Sequence, residues 1–378
     1  MLSTAETATR VWILRHGTST FNVEGRYQGC CDAPALTETG RRAARLSGER
    51  LRAADIDVVM TSPLRRAVQT AEEALEALHE GTTRAPLKTD ARLREVELLT
   101  WEGLSFAEVK RRFPEQHSTW CLRPYNLRMR SSSGEDRFPV RSLYRRARLF
   151  LDDLLLQQAG KSILLVTHGG AARALITTFL NLGVRYFHRI QQSNCGLSRL
   201  CFVPRTDQVV LELLNDTSHL GEALPKLKAG KTGVRLLLVP ANGASPEEFR
   251  HLTSLFERFT VDCVFPVSPA GRATASAIFQ RQPEPPCRPL CEMSLENALR
   301  GVVTNAPAER PCNVAVVAPS SFLWRLLREQ FGLANPAASL LLHRPGISVV
   351  HCPGAGTPPV LQSLNAFEPH RSLSGAYI

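Results

Sequence analysis

Residues 11–22 have the sequence VWILRHGTSTFN, and they set the architecture that we expect for the whole chain. The apolar run VWIL, with its β-branched and aromatic side chains, predicts a short buried strand. Arg15, His16 and Gly17 follow at its end, and the Thr/Ser cluster after them predicts a turn. Ligands bind at the carboxyl ends of strands in open α/β sheets, so this cation and this imidazole are candidate site residues.

A second junction of the same kind lies near the middle of the chain. Residues 161–166, KSILLV, predict a buried strand that leads into Thr-His-Gly-Gly, and a helix is predicted over 171–180. His168 therefore stands where a strand meets a helix N-terminus, and Gly169 allows close approach to the backbone. A lone histidine after a strand is more often a surface or core residue, but its recurrence here favours a site.

A third strand end supplies an arginine. We predict a strand over 56–60 and a helix over 64–78, with Ser62 as its N-cap and Pro63 in its first turn. Arg66 then lies near a helix N-terminus, where anions bind and a guanidinium adds paired donors. A solvated helix face is the alternative for Arg66. Two histidines and an arginine at neighbouring strand ends suit a phosphate group.

Composition bounds the remaining possibilities. A chain of 378 residues with 43% hydrophobic residues predicts two domains of ordinary size. The sequence contains no run of 18 apolar residues, so we predict no membrane span. The polar N-terminus lacks the apolar core of a secretory signal. The ten cysteines lack metal-ligand spacing, so we expect reduced thiols and a cytoplasmic location. The sequence shows no cluster of carboxylates that would indicate a metal site, and we expect no cofactor.

The positive charge has two interpretations. The net charge is +11, and only six of the 46 Lys and Arg residues are Lys. A general preference for arginine explains this most simply, whereas an anionic substrate is the sharper alternative. We expect no nucleic-acid partner, because the arginines are dispersed and no aromatic-basic motif accompanies them.

Four motifs together resemble the histidine phosphatase superfamily, in its phosphoglycerate mutase branch, over roughly residues 10–215. They are RHG at 15–17, SPLRRA at 62–67, LRE with WEG at 93–103, and THGG at 167–170. Residues 28–29, 139–148 and 192–196 are most similar to the 2-carboxy-D-arabinitol-1-phosphatase group. The resemblance implies an α/β fold of three layers, a mostly parallel sheet with helices on both faces.

We also predict helices over 37–54, 105–112 and 142–158, and an irregular lid or loop over 113–141.

The resemblance also implies roles for individual residues. His16 is the expected nucleophile that takes the phosphoryl group, and Glu95 is the expected proton donor and later base. Glu97 is the nearby alternative for that role, but the motif spacing favours Glu95. The phosphate is expected to be held by a further set of residues: Arg15, Arg66 and His168, helped by Asn22, Gln28 and the backbone at Gly169.

Three functions are compatible with these residues. The first is a metal-independent phosphomonoesterase that acts on a small phosphorylated acid, such as a carboxy-arabinitol phosphate-like sugar acid, a phosphoglycerate relative or phosphoserine. The second is a phosphoglycerate mutase that uses the same phosphohistidine. Mutases of this family carry a longer insertion between the acid and the second histidine, and the 73 positions from Glu95 to His168 favour hydrolysis. The third is a binding protein without turnover, which the intact residue set disfavours.

The second half of the sequence repeats the order of the first without its histidines. Strands are predicted over 234–239 and 313–317, each followed by small or polar residues where the first half has RHG or THGG. The segment VSPAGRA at 267–273 aligns without gaps on 61–67, which would leave Arg272 as the single retained phosphate residue.

We therefore predict a tandem arrangement. A catalytic domain covers 1–215, a linker covers 216–232, and a shorter, degenerate copy covers 233–378. The copy is expected to pack on the first domain, either within the chain or across a homodimer.

Overall fold

The computed structural model of the chain describes residues 8–79, 85–203, 208–228, 232–241, 246–280, 310–331, 338–340, 346–354 and 357–367. The strands of the first half are β1 (Thr9–Arg15), β2 (Val58–Thr61), β3 (Leu87–Thr89), β4 (Met129–Arg130), β5 (Asp136–Arg137), β6 (Ser162–Thr167), β7 (Leu197–Val203) and β8 (Gln208–Asp216). Those of the second half are β9 (Val234–Pro240), β10 (Cys263–Pro266), β11 (Cys312–Ala318), β12 (Ala338–Leu340), β13 (Ile347–Cys352) and β14 (Val360–Ala366).

Helices alternate with these strands, as the sequence predicts for an α/β protein. They are α1 (Thr20–Val23), α2 (Glu38–Arg50), α3 (Arg65–Leu78), α4 (Phe106–Arg112), α5 (Pro114–Leu122), α6 (Pro139–Gln157), α7 (Gly169–Phe179), α8 (Pro246–Phe256), α9 (Pro269–Phe279) and α10 (Ser320–Phe331). None of these described helices has the length and apolar character needed to cross a membrane.

One large sheet forms the middle layer and confirms the predicted fold class. Its strand order is β10-β11-β9-β13-β14-β8-β7-β1-β6-β2-β3, and β12 pairs with β8 beside this path. The strands are parallel toward both ends of the sheet and antiparallel in its centre, from β9 to β1. β4 and β5 form a separate hairpin.

Alternating side chains of β1 show how the sheet separates two apolar cores. Val11 and Ile13 belong to the core that includes residues of α6 and α7. Trp12 and Leu14 point to the opposite face and join the core that includes residues of α2 and α3. Because successive strand residues face opposite sides, a continuous apolar run such as VWIL is what a strand covered on both faces requires.

Several predicted boundaries need correction. The helix predicted over 37–54 ends at Arg50 and is followed by a short 3₁₀ helix, and Thr37 caps its N-terminus by accepting from the Gly40 amide. Ser62 is not the N-cap of α3. The structure places Leu64 there, without a side-chain cap.

The segment predicted to be an irregular lid is also partly ordered. Residues 113–141 contain α5, a short 3₁₀ helix and the β4–β5 hairpin. Trp120 of α5 lies edge-on to Trp101, with ring centroids 6.2 Å apart. This packing supplies apolar burial that the Pro-, Arg- and Ser-rich composition of the segment does not indicate.

The two halves of the sheet have the same strand order. Outward from the centre, the first half runs β8-β7-β1-β6-β2, and the second half runs β14-β13-β9-β11-β10. Every corresponding pair also has the same direction: antiparallel, antiparallel, parallel and parallel. The halves meet where β8 and β14 pair antiparallel, with Leu214 opposite Leu364.

Two asparagines join the halves in a reciprocal way. The Asn215 side-chain amide donates to the Gln362 carbonyl at 2.7 Å, and that of Asn365 donates to the Glu212 carbonyl at 2.8 Å. Both asparagines have a positive φ, of 51° and 49°, a conformation that Asn tolerates better than most residues. The matching contacts give the centre of the sheet an approximate two-fold relation.

The corresponding strand ends carry different residues. The His16 amide donates to the Thr167 carbonyl at 2.8 Å, and the Ala241 amide donates in the same way to Ala318 at 2.7 Å. Ala241 therefore occupies the backbone position of His16. Residues 242–245 and 344–345, which belong to the predicted repeat, lie outside the described residues.

The gapless alignment of 267–273 on 61–67 is wrong. The Ser62 amide donates to the Val166 carbonyl at 3.0 Å, and its counterpart is the Val267 amide, which donates to Val317 at 3.0 Å. The structure therefore shifts the register by one residue at this point. Arg272 is exposed, whereas Arg66 is fully buried, so Arg272 does not reproduce the position of Arg66.

Candidate active site

His16 lies just beyond the end of β1 and is 2% exposed. Its Nδ1–H donates to the Gly17 carbonyl at 2.7 Å, since a carbonyl oxygen can only accept. The lone pair is then on Nε2, the nitrogen free to act as a nucleophile. Burial, and then the charges of Arg66 and Arg15, hold the pKa of His16 well below its usual value, so the ring is neutral near pH 7.

His168 lies beside His16 because β1 and β6 are parallel neighbours, with Arg15 opposite Thr167. The two imidazole centroids are 5.2 Å apart. The Ser62 hydroxyl lies 2.8 Å from His168 Nε2, and with the hydroxyl as donor the ring carries its proton on Nδ1. Burial, followed by the charge of Arg66, also lowers the pKa of His168 well below its usual value.

Two arginines flank the imidazole pair. Arg66 is fully buried and donates to two carbonyls, that of Cys31 and that of Gly29, both at 2.8 Å. Arg15 donates from Nη1 to the Gln192 carbonyl at 2.8 Å. Burial is the main cause that lowers the pKa of Arg15 to about 10, so it stays charged at neutral pH. The site therefore holds two fixed positive charges beside two neutral rings.

Three buried nitrogens at this place have no hydrogen-bond partner among the described residues. They are Arg15 Nε, Arg66 Nε and His168 Nδ1. Buried donors are normally paired, and leaving one unpaired costs about 1–3 kcal/mol. A tetrahedral anion in contact with His16 would satisfy all three. Gly169 helps to keep this space open, because a Cβ there would lie 3.2 Å from Arg15 Nε.

Glu95 reaches the same place from another direction. Its carboxylate accepts from the Gly170 and Ala171 amides, at 2.9 and 3.0 Å, in the first turn of α7. A helix N-terminus stabilises a carboxylate in this way. A Cβ at Gly170 would lie 2.4 Å from Glu95 Oε1, so the second glycine of the THGG motif makes room for the acid.

Glu97 does not share this position. Its side chain is 44% exposed and lies 3.6 Å from the Arg94 guanidinium. Burial lowers the pKa values of Arg15, Arg66 and Arg173, and the Glu95 carboxylate is near enough to all three for its charge to oppose this effect. The geometry thus separates the two candidate acids.

Asn22 and Gln28 are connected to the site through one serine. Asn22 Oδ1 accepts from the Ser19 amide at 3.1 Å, and Gln28 Oε1 accepts from the Ser19 hydroxyl at 2.9 Å. Asn194 Nδ2 then donates both to Asn22 Oδ1 and to the His16 carbonyl, at 3.1 and 3.0 Å. These residues brace the loop that carries His16.

Sequence reasoning missed several residues that the structure brings to the site. Ser62 belongs to a quoted motif, but its contact with His168 was not predicted. Arg146 of α6 donates to the Arg92 carbonyl at 3.0 Å and to the Glu95 carbonyl at 2.8 Å, and so fixes the backbone around the acid. Arg173 of α7 lies over the Phe187 ring at 4.5 Å. No local sequence pattern marks any of these roles.

The arrangement combines a neutral nucleophile, paired positive charges and a carboxyl group. These are the groups that transfer of a phosphoryl group requires, because the transferred group carries negative charge on its equatorial oxygens. Within the described residues, no group of three or more His, Cys, Asp or Glu side chains is arranged to bind a metal ion.

Comparison with known proteins places these residues in a family. The model of the histidine phosphatase superfamily (branch 1) matches residues 11–217. The chain belongs to the histidine phosphatase superfamily. The matched range contains His16, Arg66, Glu95 and His168, and it ends just after β8.

Three curated relatives show how far the likeness extends. A probable 2-carboxy-D-arabinitol-1-phosphatase from Arabidopsis thaliana is 37% identical over 240 residues, which is 62% of this chain and 48% of the relative. The chain therefore spans about half the length of this relative. Phosphoserine phosphatase 1 of Hydrogenobacter thermophilus is 31% identical over 56% of this chain and 93% of the relative. A probable phosphoglycerate mutase of Yersinia enterocolitica is 32% identical over 56% of this chain and 94% of the relative.

Proposed function

We propose that this histidine phosphatase hydrolyses the phosphomonoester of a small phosphorylated acid, through a phosphohistidine on His16. The observation that carries the proposal is that His168 and the charges of Arg15 and Arg66 lie near the His16 ring, and that each of these three residues has a buried nitrogen without a partner among the described residues. A phosphoryl group has three equatorial oxygens, and these donors match that number. The reaction needs no metal, because protein cations supply the positive charge.

The first step transfers the phosphoryl group to the enzyme. His16 Nε2 attacks phosphorus, a P–N bond forms, and the bond to the ester oxygen breaks. Glu95 gives its proton to the departing oxygen, so the product leaves as an alcohol.

The second step releases phosphate. Glu95, now a carboxylate, removes a proton from a water molecule, and the oxygen attacks phosphorus as the P–N bond breaks. His16 returns to the neutral ring, with Nδ1–H still bound to the Gly17 carbonyl. The fixed contacts of Arg66 with two carbonyls keep its guanidinium in place through both steps.

The relatives support an acid as the substrate class. The names of two of them specify a carboxy-sugar phosphate and phosphoserine, and each compound carries a carboxylate as well as a phosphate. A mutase relative keeps isomerisation as the alternative.

A panel of phosphorylated acids tests the function and the role of His16. Phosphate release without added metal is expected for at least one compound, and His16→Ala is expected to reduce it by about 10⁵-fold, because the residual activity of a site without its nucleophile is small. Formation of 2-phosphoglycerate from 3-phosphoglycerate, in place of phosphate, would identify a mutase. A His16→Ala protein with undiminished phosphate release would refute the proposed intermediate.

A pair of acid variants tests the role of Glu95. Glu95→Gln keeps the shape and one of the two oxygens that accept from the Gly170 and Ala171 amides, but removes the transferable proton. We expect kcat to fall by about 10²–10⁴-fold, the usual contribution of a positioned general acid. Glu97→Gln is the matched control and should change kcat by less than about twofold. Equal effects of the two substitutions would contradict this assignment.

We also infer that residues 233–378 are a degenerate copy of the catalytic domain at 1–215, joined to it by residues 216–232. The shared strand order of the two half-sheets supports this inference. Ala241 in the backbone position of His16 accounts for the loss of chemistry. A homodimer, a cytoplasmic location and the lack of a nucleic-acid partner stay predictions.

A further inference from the structure

A lysine from beyond the family-matched range stands at the edge of the active site. The segment 222–228 follows β8 and runs back along the loop that carries Gln191 and Gln192. Gln191 Nε2 donates to the Lys226 carbonyl at 2.8 Å, and Lys228 Nζ donates to the Gln192 carbonyl at 2.6 Å. The match to the superfamily ends at residue 217, so Lys228 lies outside the matched range.

The Gln192 carbonyl brings Lys228 next to a phosphate-binding residue. Arg15 Nη1 donates to the same oxygen, at 2.8 Å. An ammonium and a guanidinium therefore meet at one acceptor atom, and the charge of Lys228 contributes to the lowered pKa of His16. Two cations this close repel each other unless an anion lies between or beside them.

The charge around Lys228 is positive on several sides. Burial, and then the charges of Arg15 and Arg173, lower the pKa of Lys228. Glu222 is the acidic group that opposes this effect. Lys228 is exposed as a residue, although its ammonium end is buried among these groups, so an incoming molecule can approach it from the solvent side.

We propose that Lys228 binds the carboxylate of the phosphorylated acid and thereby selects acids over simple phosphomonoesters. The inference rests on the proposed function. The donors Arg15 Nε, Arg66 Nε and His168 Nδ1 are assigned to the phosphate. A lysine ammonium has three N–H donors, and Gln192 takes only one of them. The others are available to a carboxylate a few atoms away from phosphorus.

The second half of the chain holds this lysine in place. Arg235 of β9 is buried, donates to the Pro225 carbonyl, and also donates to Gln362 Oε1 at 2.8 Å. Gln362 Nε2 in turn donates to Gln191 Oε1 at 3.0 Å. Both the Lys228 segment and the loop beneath it are thus fixed by β9 and β14. The second half-sheet acquires a function here without any catalytic residue of its own.

Two phosphonates that differ only in a carboxylate test the proposal by calorimetry on the full chain. They are 3-phosphonopropionate and ethylphosphonate. Lys228→Met should weaken binding of 3-phosphonopropionate by about tenfold or more, the usual worth of a hydrogen bond to a charged group. Binding of ethylphosphonate should change by less than about twofold. Lys228→Arg should restore part of the preference, because it keeps the charge.

Lys226→Met is the matched control, since Lys226 lies on the same segment but has an exposed side chain near Glu222. It should leave both affinities unchanged. An equal loss for both phosphonates in Lys228→Met, or no loss for either, would overturn the proposal. So would a wild-type protein that does not prefer 3-phosphonopropionate.

The binding assay does not depend on turnover, so the two proposals can fail separately. A preference for 3-phosphonopropionate that depends on Lys228, together with no phosphate release from the panel, would refute hydrolysis only. Phosphate release without that preference would refute the role of Lys228 only.

Discussion

The two half-sheets share a frame but differ at the ends of their strands. In the first half, the turns after β1 and β6 carry His16 and His168, both buried and 5.2 Å apart. In the second half, the backbone position of His16 is occupied by Ala241, and Pro319 follows β11. The strand order and the pairing directions are nevertheless the same. Apolar strands and helices thus form the same frame in both halves, although the residues at these strand ends differ.

The second half has instead gained contacts that serve the first. The buried Arg235 and Gln362 lie on strands of the second half, yet they hold the loop and the segment at the edge of the active site. A half-sheet with Ala241 in the backbone position of His16 thus still supports the edge of the proposed site.

Removing an arginine from each half should give the largest contrast. Arg66→Ala removes a buried guanidinium that faces the proposed phosphate position, so we expect kcat/KM to fall by about 10²–10³-fold. Arg272→Ala removes an exposed side chain and should change kcat/KM by less than about twofold. Steady-state kinetics on the best substrate of the panel measure both.

Thermal unfolding of the same two proteins provides the control, because Arg66 also bonds to two carbonyls and its loss affects folding. If Arg272→Ala impairs catalysis while the Tm stays unchanged, the proposed difference between the two halves is contradicted. That result would mean that the second half retains a working anion site.

The paired asparagines offer a smaller and more balanced contrast. Glycine accepts the positive φ of Asn215 and Asn365, so Asn→Gly removes the hydrogen bonds without adding strain. Each variant should lose about 1–3 kcal/mol of unfolding free energy. Asn215→Gly should also lower kcat/KM by about tenfold, because Asn215 Oδ1 accepts from the Ser193 amide in the active-site loop.

Asn365→Gly should leave kcat/KM unchanged. Denaturant unfolding and kinetics on both proteins measure these effects. Identical kinetics for the two variants would indicate that the hydrogen bond from the Ser193 amide to Asn215 does not affect kcat/KM.

Acid stability should also differ between the halves. His16 and His168 have lowered pKa values in the folded protein, so the unfolded chain binds more protons below about pH 6.5. Unfolding free energy should then fall as pH decreases from 6.5 to 4.5, by up to about 1.4 kcal/mol per pH unit for each histidine. Asp90 and Asp262, whose pKa values are also lowered, contribute only at lower pH.

Denaturant unfolding in buffers without phosphate or sulfate measures this slope. His16→Asn should reduce the slope between pH 6.5 and 4.5, whereas Ala241 contributes no titrating group in the other half. A slope that His16→Asn leaves unchanged would show that the ring is not buried in its neutral form.

The strand-to-turn junctions could be predicted because their information is local. An apolar run followed by His16-Gly17 or by His168-Gly169 specifies both a buried strand and the residue at its end. The same local reasoning failed for Ser62, since its hydroxyl bonds to His168, a residue 106 positions away. It also failed for α5, whose burial depends on the distant Trp101.

The joint between the halves and the position of Lys228 could not be predicted for a related reason. Where strand β8 pairs with β14, Asn215 and Asn365 each satisfy a carbonyl on the opposite strand, and no local sequence pattern marks this contact. Lys228 belongs to a segment whose Gly, Pro and Lys content is typical of a linker. Its path is set by contacts with Gln191, which is 35 positions from Lys226, and with Arg235 of the following strand.

The pairing of β8 with β14 and β12 has a practical consequence for protein production. A fragment cut at the end of the family match would leave β8 as an open edge strand of nine residues, with a row of unbonded amides and carbonyls. Such edges recruit other chains and promote aggregation. Expression trials should therefore keep the apparently dispensable C-terminal portion, which shields this margin in the intact chain.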